Sequence, residues 1–169
     1  MMDCIKLSNL MRFRINSTGN GGQCFDGQVE SWLVAILSHG IQEIDLCFDI
    51  RKLPDTIFTC KTLCVLKLNT NAILEPLDTV CLPCLRILHL KKVVVFDEGY
   101  TNKLLLGCPF LHDFRVDSYA LNVPGQLSIS APSLTNLKLN ITRVSLTISL
   151  GLLLPLLLHC CSISTIVTT

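Results

Sequence analysis

Charge is scarce in this 169-residue sequence and evenly balanced: 16% of residues are Asp, Glu, Lys or Arg, and the formal net charge is +1. Aromatic residues are fewer still, at 6%. A nucleic-acid platform needs a concentrated basic surface, usually with aromatic side chains on which bases stack. Neither DNA nor RNA is therefore an expected partner. Residues Met1 to Arg14 include Asp3, Lys6, Arg12 and Arg14 and contain no unbroken apolar run before a small-residue cleavage site. No secretory signal peptide is expected there, and the expected location is intracellular, in cytoplasm or nucleus.

Catalytic signatures are missing too. His39, His89, His112 and His159 are scattered, with no nucleophile elbow and no paired metal-ligand motif beside them. The Gly19-Asn20-Gly21-Gly22 run lacks the Gly-Lys-Ser/Thr that a phosphate-binding loop needs and reads as a turn. No enzyme activity, no catalytic residue and no cofactor is expected.

Cysteine, by contrast, is abundant, with ten in the chain. In a reducing compartment such residues act mainly as small buried hydrophobes. Cys60-x-x-x-Cys64 followed by Cys81-x-x-Cys84 has the outward spacing of a zinc site. The pairing is out of phase with the repeat described next, so no metal is expected. Asn16-Ser17-Thr18 and Asn140-Ile141-Thr142 match glycosylation sequons but, inside the cell, are expected to stay unmodified.

The organising unit is Cys81 to Val93, whose Leu85-x-x-Leu88-x-Leu90 core recurs along the chain. Copies stand at Ile41/Ile44/Leu46, Leu63/Leu66/Leu68, Leu111/Phe114/Val116 and Leu134/Leu137/Leu139, with a weaker one at Leu10/Phe13/Ile15. Between central positions Phe13, Ile44, Leu66, Leu88, Phe114 and Leu137 the spacings are 31, 22, 22, 26 and 23 residues, mostly within the range of leucine-rich repeats. Each copy supplies one short strand whose last two apolar positions point into a shared core. One unit cannot bury that face alone, whereas stacking buries it on both sides. The predicted fold is an α/β leucine-rich-repeat solenoid, with a parallel β-sheet on the concave face and short helices or irregular turns on the convex face.

The connections fit. Val29, Trp32, Leu33, Ile36 and Leu37 fall at helical spacing, with Asp26 as N-cap and Gly40 as stop. This helix fills the long first spacing, and Trp32 is expected on its core stripe. A second short helix between Asp97 and Leu106 accounts for the 26-residue step. Proline recurs two residues before the first repeat leucine, at Pro83, Pro109 and Pro132, where a turn leads into the strand.

Alternation also predicts a surface. The residue between the last two apolar positions must point away from the core, which selects Arg14, Asp45, Lys67, His89, Arg115 and Lys138. The residue before the central position adds Arg12, Glu43, Val65, Ile87, Asp113 and Asn136. The expected partner-binding site is a mostly basic strip on the first row with Val65 and Ile87 as its apolar centre, and Asp45 is available to pair with Lys67.

Several motifs carry a family resemblance. The Val29-Glu30-Ser31-Trp32 helix, Gln42-Glu43-Ile44-Asp45-Leu46 and Leu53-Pro54 with Phe58-Thr59-Cys60-Lys61-Thr62-Leu63 are three of them. Leu82-Pro83-Cys84-Leu85 and Gly107-Cys108-Pro109-Phe110-Leu111 are two more. Together, over roughly residues 10 to 140, they resemble the leucine-rich region of plant F-box/leucine-rich-repeat/FBD-type proteins. The resemblance implies the substrate-recognition repeats of a ubiquitin-ligase subunit, that is, a noncatalytic protein-interaction module facing an unidentified protein target. Neither an F-box nor an FBD segment is recognisable in the sequence, so binding of a Skp-type adaptor is not expected.

The expected division is a repeat domain over residues 1–143 and an uncharged apolar tail over 144–169, which has no Asp, Glu, Lys or Arg. The tail, with its leucine run from Leu146 to Leu158, could just supply the roughly 20 mostly apolar residues of a bilayer span, but Ser145, Thr147, Ser149, Gly151, Pro155 and His159 interrupt it. A capping or disordered segment is the first expectation. The alternative is a membrane-tethered repeat protein, or a shortened product without function.

Overall fold

The computed structural model describes residues 11–16, 26–50, 52–74, 79–95, 98–121, 126–129, 131–142, 145–148 and 162–168. Each repeat contributes one strand: β1 (Arg12–Asn16), β2 (Glu43–Cys47), β3 (Val65–Asn69), β5 (Ile87–Lys91), β7 (Asp113–Leu121) and β9 (Asn136–Thr142). They pair in that order, always in parallel, and a further strand, β11 (Ser162–Thr168), adds to β9.

Register follows from the apolar pattern, because a slip of one residue would turn every leucine to the solvent face. Ile44, Leu66, Leu88, Phe114 and Leu137 are Cα partners across successive strands, as are Leu46, Leu68, Leu90, Val116 and Leu139. All ten are buried. The first position of each motif, from Ile41 through Leu63, Leu85 and Leu111 to Leu134, is buried beneath the turn that precedes its strand. Phe13 and Ile15 of β1 are partly buried against the same core. Leu10, the Gly19 to Gly22 run and Asp97 lie outside the described residues.

The proline turns close as predicted. Leu85 donates its amide to Leu82 O at 3.1 Å, Leu111 to Cys108 O at 3.1 Å and Leu134 to Ala131 O at 3.2 Å. In each, proline occupies the second turn position, where its fixed φ is favourable and its missing N–H costs nothing. The residue that opens the turn is buried: Cys60, Leu82, Cys108 and Ala131 are equivalent.

At the other end of the concave strands, β4 (Ile73–Leu74) and β6 (Val94–Val95) form a second parallel ladder with the end of β7. Lys92, at φ 58°, makes the left-handed bend between β5 and β6. The convex side carries α1 (Asp26–Ser38), a 3-10 turn (Asp55–Thr59) and α2 (Glu98–Leu106). Phe58 of the turn meets Tyr100 of α2 edge to face, with ring centroids 6.4 Å apart. Gly40 ends α1 at φ +76°, the left-handed cap that glycine adopts without strain. Gly107 ends α2 so close to Val80 that a Cβ would sit 2.5 Å from its Cγ1 and 2.7 Å from its carbonyl oxygen.

Trp32 corrects the expectation for α1. Val29, Leu33 and Ile36 are buried, but Trp32 is 38% exposed. At 3.6 residues per turn it lies about 60° to one side of those three, at the margin of a stripe too narrow to cover an indole.

Beyond β9, β10 (Ser145–Ile148) pairs in parallel with β8 (Gln126–Ile129). Residues 149–161, most of the leucine run, lie outside the described residues. Among the described residues no helix is long and apolar enough to cross a membrane.

Candidate functional site

The outward residues predicted for the concave face fall into register. Arg14, Asp45, Lys67, His89, Arg115 and Lys138 are consecutive Cα partners, and so are Arg12, Glu43, Val65, Ile87, Asp113 and Asn136. With neighbouring strands about 4.8 Å apart, each row is a continuous line of side chains over the buried leucines. A third row, formed by Asn16, Cys47, Asn69, Lys91, Asp117 and Asn140, was not anticipated. The same two-residue alternation, carried one step beyond the last apolar position, is the signal that finds it.

The electrostatics are less uniform than a basic strip. Arg12 Nε lies 2.6 Å from Glu43 Oε2, and Arg14 Nε lies 3.0 Å from Asp45 Oδ2. Asp45 is thus engaged by the strand on its other side, which corrects its expected pairing with Lys67. The guanidinium explains the choice, since its fixed fork reaches a carboxylate directly opposite. On β7, Arg115 donates from Nε to Asp113 Oδ1 at 2.9 Å and from its terminal nitrogen to Oδ2 at 2.8 Å. On the third row, Lys91 Nζ is 3.3 Å from Asp117 Oδ2, and Asn140 Nδ2 donates to Asp117 Oδ1 at 2.8 Å.

Lys67 and Lys138 form no ion pair among the described residues. Between them His89 Nε2 is buried and unbonded: Asp113 Oδ2 is 3.4 Å away, close enough for charge attraction but not aligned as a hydrogen bond. Burial lowers the His89 imidazole below its ordinary value of 6.5, with Arg115 and Lys67 adding to the shift and Asp113 opposing it. Burial alone would raise the Asp113 carboxyl, but its bonds to Arg115 and the proximity of His89 outweigh that and hold it below 3.8. Val65 and Ile87 are half-buried beside Lys67 and His89. Asn69 uses its Nδ2 on Cys47 Sγ at 3.2 Å and leaves Oδ1 buried without a partner among the described residues. The middle of the face, on β3 and β5, therefore combines apolar surface with polar groups that the fold leaves unsatisfied.

The cysteines behave differently from one another. Cys60 and Cys108 are buried at equivalent turn positions, and Cys81 and Cys84 are exposed. Burial, reinforced by nearby Cys81, pushes the Cys108 thiol up to about 12, leaving it protonated and inert at neutral pH. Among the described residues no group of three or more His, Cys, Asp or Glu side chains is arranged to hold a metal. On the convex side a dent between Lys52, Leu53, Asp55, Phe58, Ile73 and Leu74 has room for only about one water molecule.

Comparison with known proteins places this surface in context. Residues 29–163 match the family model described as the LRR repeats of the FBD-associated F-box protein At5g56370. Among curated relatives, the FBD-associated F-box protein At4g10400 of Arabidopsis thaliana is 34% identical over 117 residues, covering 66% of this chain and 29% of that protein. The F-box protein At4g09920 of the same plant is 34% identical over 116 residues, covering 66% and 37%. The FBD-associated F-box protein At5g56370 is 31% identical over 147 residues, covering 71% and 35%. The chain thus spans about a third of the length of these relatives. No solved structure matches it.

Proposed function

Because the chain belongs to the leucine-rich-repeat family of FBD-associated F-box proteins, we propose that it is a noncatalytic protein-recognition module whose concave rows contact a protein target. The observation that carries this reading is the register itself. The apolar motif positions from β2 to β9 are consumed by the core, so the opposite side of the same strands offers one continuous surface to which each of these repeats contributes. Such a surface suits an extended or convex partner better than a small molecule, which needs a concave, mostly apolar pocket.

The noncatalytic assignment is supported by the environment of His89 and Asp113. They lie on an open sheet face, Arg115 occupies both oxygens of the carboxylate, and no hydroxyl or thiol bonds to His89 among the described residues. In this proposal the matched repeats supply target contact within a ubiquitin-ligase setting in cytoplasm or nucleus, and contact with a Skp-type adaptor is assigned to none of residues 1–169.

The test is to cross-link the chain to its neighbours in plant cells and to purify one captured partner. Its affinity is then measured for wild type and for Val65→Asp with Ile87→Asp. A loss of about tenfold or more is expected when charge enters the apolar centre of an interface. Equal affinity for both chains would remove the concave face as the binding surface.

A further inference from the structure

The pattern of paired and unpaired charge on the concave face specifies its ligand more narrowly than its overall sign does. We propose that the face binds an extended acidic peptide segment through Lys67 and Lys138, with an aliphatic side chain of that segment against Val65 and Ile87. This rests on the protein-recognition reading above and names the chemistry of the partner.

Along the three rows six cations, Arg12, Arg14, Lys67, Lys91, Arg115 and Lys138, face four carboxylates, Glu43, Asp45, Asp113 and Asp117. Four of the cations already sit against those carboxylates at 3.3 Å or less. A ligand carboxylate at any of these four would have to displace one that is held in place, exchanging one ion pair for another at little gain. Lys67 and Lys138 carry the two charges left over. A ligand carboxylate there forms a new pair without breaking an old one, so the face's attraction for acidic partners concentrates at these two positions. His89, between them, offers a buried, unbonded Nε2 rather than a competing carboxylate.

Geometry fixes the spacing. Lys67 on β3 and Lys138 on β9 are three strand steps apart, which is about 14 Å at about 4.8 Å per step. An extended chain advances at most about 3.3–3.6 Å per residue, so two acidic residues four positions apart span the same distance and point the same way. Val65 and Ile87 lie on the adjoining row beside the Lys67 end, so the aliphatic residue must share the acids' face of the extended chain, which places it two positions after the first acid. The site is therefore read as an acid, a spacer, an aliphatic residue, a second spacer and a second acid, crossing the strands.

The test uses the full 169-residue chain and a labelled peptide, Gly-Glu-Ser-Leu-Ser-Glu-Gly-Gly, followed by fluorescence anisotropy at low salt. The same peptide with both Glu replaced by Gln is the control for charge, and one with the two Glu only two apart is the control for spacing. The Glu peptide is expected to bind about tenfold tighter than the Gln peptide, with the difference shrinking as salt screens it. Lys67→Gln with Lys138→Gln should abolish that preference, Lys67→Arg with Lys138→Arg should keep it, and Arg12→Gln with Glu43→Gln, which removes a paired cation together with its carboxylate, should leave it within about twofold. The arginine variants guard against loss of fold, since they retain charge at the same sites. Equal binding of Glu and Gln peptides, no detectable binding, or a preference that survives loss of Lys67 and Lys138 overturns the proposal. A partner captured from cells that still depends on Val65 and Ile87 would then keep the protein-recognition reading while discarding the acidic ligand. A partner indifferent to both sets of residues would discard both.

Discussion

Asp113 and Arg115 stand two residues apart on one strand, and the guanidinium closes on both carboxylate oxygens, at 2.9 and 2.8 Å. Residues i and i+2 of a strand share a face, so the chain neutralises its own cation without help from a neighbour. Asp113→Asn is expected to release Arg115 and add one net positive charge beside His89. Binding of the Glu peptide should tighten by a factor of about 3 to 10, measured by anisotropy beside wild type. Weaker binding would show that Asp113 orients the face rather than masking it.

The same cluster sets a pH response. The folded-state pKa values of His89 and Asp113 are both depressed, so for each the unfolded chain takes up protons first as pH falls. Stability from His89 is full above its ordinary value of 6.5 and is lost as pH falls below it; stability from Asp113 is full above 3.8 and is lost below that. Chemical denaturation from pH 8 to pH 5 should therefore show falling stability, and His89→Gln should flatten the part of the slope that begins near 6.5. An unchanged slope in the variant would assign it to other groups.

Leu88 occupies the middle of the core, in register between Leu66 and Phe114 and fully buried. Leu88→Ala should cost about 2–5 kcal/mol by loss of burial and the cavity it leaves, and Ile87→Ala, half-exposed next to it, about 1 kcal/mol or less. Because each repeat packs mainly on its neighbours, hydrogen exchange should accelerate most in β3, β5 and β7. Uniform acceleration across all strands would contradict nearest-neighbour stacking.

Gly107→Ala tests the join between α2 and the next turn. Its Cβ would meet the backbone as well as the side chain of Val80, while the Gly107 carbonyl accepts the Leu82 amide at 2.9 Å. A cost of about 1–3 kcal/mol is expected from this overpacking, read from a urea titration. A variant as stable as wild type would mean that the Val80 segment shifts freely.

The core was legible because Leu-x-x-Leu-x-Leu carries both the strand period and the repeat period. From Ile41 to Leu139 each motif position is buried, and the outward rows follow by parity alone. What parity cannot give is which charges find each other. Asp45 lies beside cations on both neighbouring strands, Arg14 and Lys67, and side-chain shape gave it to Arg14. The grip of Arg115 on Asp113 depends on a rotamer, which periodicity does not encode. Trp32 fits helical spacing but sits at the margin of a narrow stripe. The strand Ser162–Thr168 was hidden for a different reason: Thr165 stands where an apolar partner for Leu139 would complete the motif, and the preceding leucine run masks the period.

The most direct test of the concave assignment is photo-cross-linking from single positions. A benzophenone amino acid is placed in turn at Lys67 and His89 on the concave rows, and at Glu30 and Thr59 on the convex side, where both are exposed. The full chain is then irradiated with a purified partner captured from plant cells. The account predicts cross-links from positions 67 and 89 and none from positions 30 and 59. Cross-links from the convex positions alone would contradict it.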